Sequence, residues 1–217
     1  MAAASLATAR IALGASAGAS AQSGLPAAPG ISPPGANDWS CKPPPDHPSP
    51  VILLHGTFAD MTVSWNALSP LLKAEGFCVF ALDYGRRGTQ AIEESADELA
   101  AFTTKVVGAT GAAKVSYVGH SQGGSLSRLT VRYRGFLERT DDVVGLAPSS
   151  HGTTNPLAPP AGTLGCAACT DQAAGSPLMQ KLNAPPEAPE PVSWTVVATR
   201  YDEVVTPTPR RRSAAPW

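Results

Sequence analysis

The chain carries almost no net charge. Its 16 Lys and Arg balance 17 Asp and Glu, leaving a formal net charge of −1. That excludes the electrostatic footprint of a nucleic-acid binder or of a protein built for an anionic surface. No apolar run is long enough to span a bilayer. No internal repeat is visible, so a solenoid or propeller is excluded. Histidine is sparse: only His47, His55, His120 and His151 are present. What is there suits one ordinary α/β domain, with 43% hydrophobic residues in 217, enough for a sizeable core.

Residues 1–36 are built from Ala, Gly, Ser and Pro and almost lack large side chains. Ile11 to Ala21 is a short apolar run after Arg10, and Ala19-Ser20-Ala21 fits the small-residue cleavage rule of a signal peptide. The expectation is an exported, secreted protein whose leader is followed by a flexible linker from Gly24 to Gly35. A disordered Ala-rich leader, or a start inside a longer signal, is the alternative. The four cysteines point the same way. Cys41 lies just before the first core strand and Cys78 in the next, so a Cys41–Cys78 disulfide is expected. Cys166 and Cys169 form a C-x-x-C with no second copy and no nearby histidine, which argues against zinc. A thioredoxin-like context is missing as well, so a short-loop Cys166–Cys169 disulfide is expected. No metal and no cofactor is expected.

Buried strands alternate with helical stretches. Val51 to Leu54 is a continuous apolar run of the kind buried on both faces of a parallel sheet. Ser64 to Lys73 has helical spacing with Ser64 as N-cap. Phe77 to Leu82 is a second strand, Asp83 to Gly88 a loop, and Thr89 to Val107 an amphipathic helix. Val115 to Val118 is a third strand and Ser125 to Val131 continues as a helix. Asp142 to Pro148 is a fourth strand. Ser149 to Ala174 lacks periodicity and is expected to form a rim or partial lid. Ser176 to Leu182 is a short helix and Ser193 to Ala198 a fifth strand. The implied fold is α/β, a mostly parallel sheet with helices on both faces.

Between the third strand and its helix lies Gly119-His120-Ser121-Gln122-Gly123, a G-x-S-x-G. In such an elbow the serine sits on a strained turn above the carboxyl edge of the sheet, and the flanking glycines avoid collision with neighbouring backbone. The helix behind it points free N–H groups at the place where an oxyanion forms. A serine hydroxyl still needs a base, an acid to orient that base, and oxyanion donors. Ser121 is the candidate nucleophile, and the N–H of Gln122 one donor. The His55-Gly56-Thr57 turn offers the N–H of Thr57, with Phe58 as alternative, as the other donor. Asp202 occupies the acid's place in the order serine, acid, histidine.

These stretches, with Leu146-Ala147-Pro148-Ser149-Ser150-His151-Gly152-Thr153 and Thr199-Arg200-Tyr201-Asp202-Glu203-Val204-Val205-Thr206-Pro207, resemble the secreted actinobacterial lipases of the α/β-hydrolase fold, lipase class 2. The resemblance runs from about Asn37 to Pro207. It implies a hydrolase of acylglycerols or other lipid esters, in transient contact with a lipid interface, with Ser121, Asp202, Thr57 and Gln122 in the roles just given. The family's base is a histidine beyond the acid, and none follows Asp202 here. His151, at a strand end near the site, is the candidate substitute base, with a structural role in the rim as the alternative. The resulting division is a leader and linker over 1–36, a hydrolase domain over 37–207 and an aberrant tail over 208–217. The expectation is a frameshifted or truncated member lacking the last strand and helix, with weak or no activity. A non-catalytic lipid- or partner-binding protein on the same fold is the second reading. An acyltransferase or haloalkane-type hydrolase is a third, and the serine at the elbow argues against a dehalogenase.

Overall fold

A computed structural model of the chain describes residues 30–156 and 164–206. The leader reading for residues 1–29, the middle of the rim segment and the 208–217 tail lie outside the described residues. Five strands form one sheet: β1 (Val51–Leu54), β2 (Val79–Leu82), β3 (Val115–His120), β4 (Thr140–Leu146) and β5 (Ser193–Val197). Their order is β2-β1-β3-β4-β5, and every neighbouring pair is parallel. The fourth strand stops at Leu146, short of Pro148, because Ala147 turns to a φ of 46°.

Alternation across the pleat sorts the core into two layers. Ile52, Leu54, Phe80 and Tyr117 pack on one face of the sheet. They meet the apolar stripe of α4 (Ile92–Thr110), where Ile92, Ala96, Leu99 and Val106 are buried at helical spacing. Leu126 and Leu129 of α5 (Gln122–Tyr133) join the same cluster. Val51, Leu53, Val79 and Ala81 face the other way. They meet Met61 and Trp65 of α1 (Met61–Trp65) and Leu68 and Leu72 of α2 (Leu68–Ala74). Helices therefore cover both faces, as the strand pattern implies.

Local chemistry explains where the elements differ from the sequence pattern. One helix is expected over Ser64 to Lys73, but Asp60 caps a helix that starts earlier, accepting the Val63 N–H at 2.8 Å. That helix closes at Asn66, and α2 begins afresh. The expected loop before α4 contains a single left-handed turn, α3 (Gly85–Gly88). Arg86 and Arg87 hold φ of 49° and 62° there, between two positive-φ glycines. Gly111, at φ 76°, ends α4 with a left-handed cap, where glycine has no side chain to strain. The chain is also pinned before Asn37: Ala36 pairs with Val79, and Ser69 Oγ donates to the Pro34 carbonyl at 2.9 Å.

Two short helices, α6 (Ala167–Asp171) and α7 (Pro177–Leu182), lie between β4 and β5. A fully buried arginine joins this region to α5. Arg128 Nε donates to the Glu187 carbonyl at 3.2 Å, Nη1 to the Ser150 carbonyl at 3.2 Å and to Asn183 Oδ1 at 3.0 Å, and Nη2 to the Leu182 carbonyl at 2.7 Å. Burial, with Arg132 nearby, pulls its guanidinium down to about 10, still charged at neutral pH.

Both expected disulfides form. Cys41–Cys78 spans Cα atoms 5.8 Å apart across 37 positions of chain, and Cys166–Cys169 spans 5.3 Å across 3 positions. The longer loop constrains the unfolded chain far more. Replacing Cys41 and Cys78 together by serine is expected to lower unfolding free energy by roughly 3–4 kcal/mol, read by urea denaturation of the oxidised chain. Removing Cys166 and Cys169 is expected to cost markedly less.

Candidate active site

The strand-to-helix turn after β3 is compressed on every side. A Cβ on Gly119 would lie 2.3 Å from the Gly123 carbonyl carbon, one on Gly123 2.4 Å from the Leu54 carbonyl oxygen, and one on Gly124 2.6 Å from Pro148 Cβ. Those positions admit only glycine. Ser121, between them, takes φ 51° and ψ −119°, a conformation L-residues rarely adopt. Its N–H is held by the Leu146 carbonyl at 2.9 Å, and its carbonyl accepts the Gly124 N–H at 3.0 Å. Strain of this kind, of order 1–3 kcal/mol, persists only where the surroundings impose it. Here β1, β4 and α5 impose it together.

The turn after β1 lies beside the elbow, since a Cβ on Gly56 would stand 3.2 Å from Ser121 Cβ. His55 builds that turn. Its ring is buried and stacks on Tyr84 at 4.3 Å between centroids. The Tyr84 hydroxyl donates to the His55 carbonyl at 2.6 Å. Nδ1 of His55 lies 2.8 Å from the Gly56 carbonyl, so that nitrogen carries the proton. Nε2 then accepts the Tyr84 N–H at 3.4 Å. Burial holds this imidazole below its ordinary value, with the Gly56 bond opposing, and it is neutral. The Phe58 N–H is committed to the Arg87 carbonyl at 2.7 Å, whereas the N–H groups of Thr57 and Gln122 meet no acceptor among the described residues.

Ser121, Thr57 and Asp202 line one cavity of about 510 Å³, a normal size for a small-molecule site. His120, Phe58, Val204 and Gln172 line it too. Asp202 Oδ1 accepts the N–H groups of Val204 and Val205, each at 2.9 Å, which fixes the carboxylate on its loop. His120 stays accessible. Protein bulk on its inner side holds its imidazole below the ordinary value, and the Asp202 carboxylate pulls the other way. Gln122 is buried and lies behind the cavity wall, its Oε1 accepting the Thr57 hydroxyl at 3.3 Å.

His151 is placed elsewhere. Its Nε2 meets Glu187 Oε2 at 3.1 Å, and it does not line the cavity. His47 stacks on Phe77 at 3.9 Å between centroids. Among the described residues, no cluster of His, Cys, Asp and Glu has the arrangement of a metal site, and no helix is long and apolar enough to cross a membrane. Gln172 and Tyr84 bear on the site without a motif to mark them, and Ser149 lies in the strand-end stretch quoted above without a role assigned to it there. Gln172 lies in the aperiodic rim segment, and its partner Thr57 is 115 positions away.

A family model described as Lipase (class 2) matches residues 48–213. A triacylglycerol lipase of Pseudarthrobacter phenanthrenivorans is 35% identical over 85 residues, covering 36% of this chain and 27% of that protein. One of Burkholderia plantarii is 35% identical over 85 residues, covering 36% and 24%. The matched stretch thus spans about a quarter of each relative's length. Among solved structures, Aspergillus fumigatus lipase B superimposes with a TM-score of 0.68 at 18% identity, over 85% of this chain and 44% of its own. Bacillus licheniformis lipase BlEst2 in mature form gives 0.53 at 19% identity, over 73% and 66%. These likenesses establish an α/β-hydrolase-like fold.

Two outcomes are expected from the geometry. Gly123→Ala places a methyl group on the Leu54 carbonyl and is expected to abolish the folded elbow, seen as loss of cooperative melting or of any esterase activity. The second concerns pH. The folded-state value of His55 lies below its ordinary 6.5, so its contribution to stability is complete above that value and is lost as pH falls through the folded-state value. Unfolding free energy of the parent is expected to drop between about pH 7.5 and about pH 5 more than that of His55→Asn. Urea melts at both pH values measure this, and parallel curves exclude the role given to His55.

Proposed function

Because the chain belongs to the class 2 lipase family, we propose that it is a lipid-ester hydrolase acting through Ser121 and an acyl-enzyme. Ser121 Oγ attacks the ester carbonyl carbon and gives its proton to a base. The carbonyl oxygen becomes an oxyanion between the N–H groups of Thr57 and Gln122. Collapse expels the alcohol, which takes the proton, and water then releases the acyl group by the same steps in reverse order. Asp202 is the acid that orients the base. One observation carries this reading: a serine forced to positive φ at a strand end, sharing a cavity with Asp202 and flanked by two N–H groups that meet no acceptor among the described residues. Phe58 and Val204, 49% and 65% exposed at the cavity, suit brief contact with a lipid interface. The two disulfides support an exported protein.

The base has no imidazole assigned to it within these 217 residues. His55 is locked in its turn, His47 packs on Phe77, His151 is engaged by Glu187, and His120, though it lines the cavity and feels the Asp202 carboxylate, makes no hydrogen bond to Ser121 or Asp202 among the described residues. For the 217-residue polypeptide itself we therefore propose weak turnover. Loss of a triad histidine costs on the order of 10⁶ in rate, while the oxyanion donors and binding retain about 10³ over water. The same observation favours, as a second reading, a protein that binds lipid without turning it over.

Ser121→Ala is expected to remove whatever hydrolysis of a short-chain nitrophenyl ester the purified chain shows, and to leave its thermal melt in place. Undiminished hydrolysis would exclude Ser121 as nucleophile. A polypeptide extended after Thr206 with a class 2 lipase ending that carries a histidine is expected to gain several orders of magnitude. No gain on extension favours the binding reading.

A further inference from the structure

A buried chain of neutral side chains runs beneath the oxyanion turn, and the chemistry above does not use it. Ser125 Oγ lies 3.0 Å from Ser149 Oγ. Ser149 Oγ donates to Gln172 Oε1 at 2.8 Å. Gln172 Nε2 donates to Thr57 Oγ1 at 2.9 Å and to the Ala168 carbonyl at 3.1 Å. Thr57 Oγ1 donates to Gln122 Oε1 at 3.3 Å.

The direction of the links that meet at Gln172 follows from its one carboxamide. The Ala168 carbonyl accepts only, so the nitrogen of Gln172 faces Ala168 and Thr57, and its oxygen faces Ser149. Ser149 must then give its proton to Gln172, which leaves Ser125 to donate to Ser149. Thr57 accepts from Gln172 and, in the orientation that the Gln122 carboxamide takes, donates to Gln122 Oε1, while Gln122 Nε2 is buried without a partner among the described residues. The Thr57 hydroxyl is thereby tied to the residue that follows the nucleophile, and its side chain is fixed in one rotamer. Gln172 joins the two turns whose N–H groups flank the reacting carbonyl.

Gln172 is itself held by a small stapled unit. It follows directly on α6, and its N–H bonds to the Ala168 carbonyl at 3.0 Å. The Cys166–Cys169 bridge closes the first turn of that helix. Ala168 N–H reaches the Thr89 carbonyl at 3.3 Å, and Asp171 Oδ2 accepts the Ile92 N–H at 2.9 Å, so the unit is fastened to the start of α4. Cys169 lines the same cavity as Ser121.

We propose that Gln172 is a positioning residue for the oxyanion turn, acting through the Thr57 hydroxyl, and that the Cys166–Cys169 bridge serves to hold it there. The proposal rests on the reading of the Thr57 N–H as an oxyanion donor. Gln172 touches no reacting atom in this scheme. It sets the plane of the Thr57 peptide by fixing the side chain of the same residue.

The test is a double-mutant cycle on the full chain with Gln172→Ala and Thr57→Val. Gln172→Ala is expected to lower kcat by roughly tenfold to a hundredfold, less than the 10²–10³ lost with a direct oxyanion donor, with KM almost unchanged. In the Thr57→Val background the same change is expected to have little further effect, because the hydroxyl through which it acts is gone. Gln172→Glu keeps an acceptor for Ser149 but cannot donate to Thr57, so it is expected to resemble the alanine variant. Cys166→Ser with Cys169→Ser is expected to reproduce the loss in the same direction. A structural role alone predicts additive effects in the cycle and a loss that tracks the melting temperature. Either result overturns the proposal, as does an unchanged kcat in Gln172→Ala while Ser121→Ala still abolishes activity. Activity that survives Ser121→Ala sinks the active-site reading itself. A second measurement needs no turnover: the ¹H–¹⁵N resonance of Thr57 is expected to move in Gln172→Ala, and a resonance that stays in place refutes the link.

Discussion

The α-carbon of Gly123 and the carbonyl oxygen of Leu54 stand too close to admit a methyl group between them. That approach determines most of what surrounds it. The helix α5 can begin directly at the end of β3 only if its first turn slides under the end of β1. The serine at the junction then has to bend back over the sheet with positive φ. Its helix starts with an N–H that has no partner inside the helix. The turn after β1 is forced up beside it, and His55, stacked on Tyr84, fills the space below. Crowding of backbone thus creates both the half-buried serine at the cavity and the two N–H groups left without acceptors among the described residues. No charged group is needed to produce the geometry.

Much of this was legible in the sequence because it is local. Gly119, Ser121 and Gly123 sit within five consecutive residues, and the apolar runs Val51 to Leu54 and Val115 to Val118 declare buried strands on either side. The parallel sheet with helices on both faces follows from that alternation, and the two cysteine pairs follow from their spacing along it. What escaped the sequence depends on contacts between distant segments. Gln172 is one polar residue in an aperiodic stretch until folding brings it to Thr57. The break between α1 and α2 hangs on a cap at Asp60, where Ser64 offered an equally good one. The end of β4 at Leu146 is set by the backbone of Ala147. His151 looked close to the site because a strand ends there, but the neighbouring segment offers Glu187 as a partner and turns the ring toward it.

The rim between β4 and β5 shows how a stretch without periodicity still acquires a definite shape. Its apolar side chains, among them Ala168, Leu178, Met179 and Leu182, join the main core at positions without a regular period. Hydrogen bonds to fixed partners complete the shape: the Thr153 N–H donates to the Gln172 carbonyl, the Thr153 carbonyl accepts the Ala174 N–H, Ser176 caps α7, and Gln172 and Asp171 fasten α6 to Thr57 and to the start of α4. Asp171 shows the strain of this arrangement. Burial, with Glu93 and Glu94 close by, raises its carboxyl above the ordinary range. The rim is a loop in sequence pattern and a set of specific polar contacts in structure.

Arg128 anchors that rim in an unusual way for a cation. Its hydrogen-bond partners are three main-chain carbonyls and one carboxamide oxygen, and its contact with the Glu187 carboxylate is longer, at 3.7 Å. Carbonyls do not titrate, and a guanidinium held at about 10 keeps its proton through the neutral and acid range. The group is also sealed from solvent, beyond the reach of mobile counter-ions that weaken surface pairs within about 10 Å at moderate ionic strength. The attachment of the rim to the elbow helix is therefore indifferent to brine and to acid alike. The fastening does not depend on the ionic composition of the medium in the way that the exposed pairs on the outer surface do.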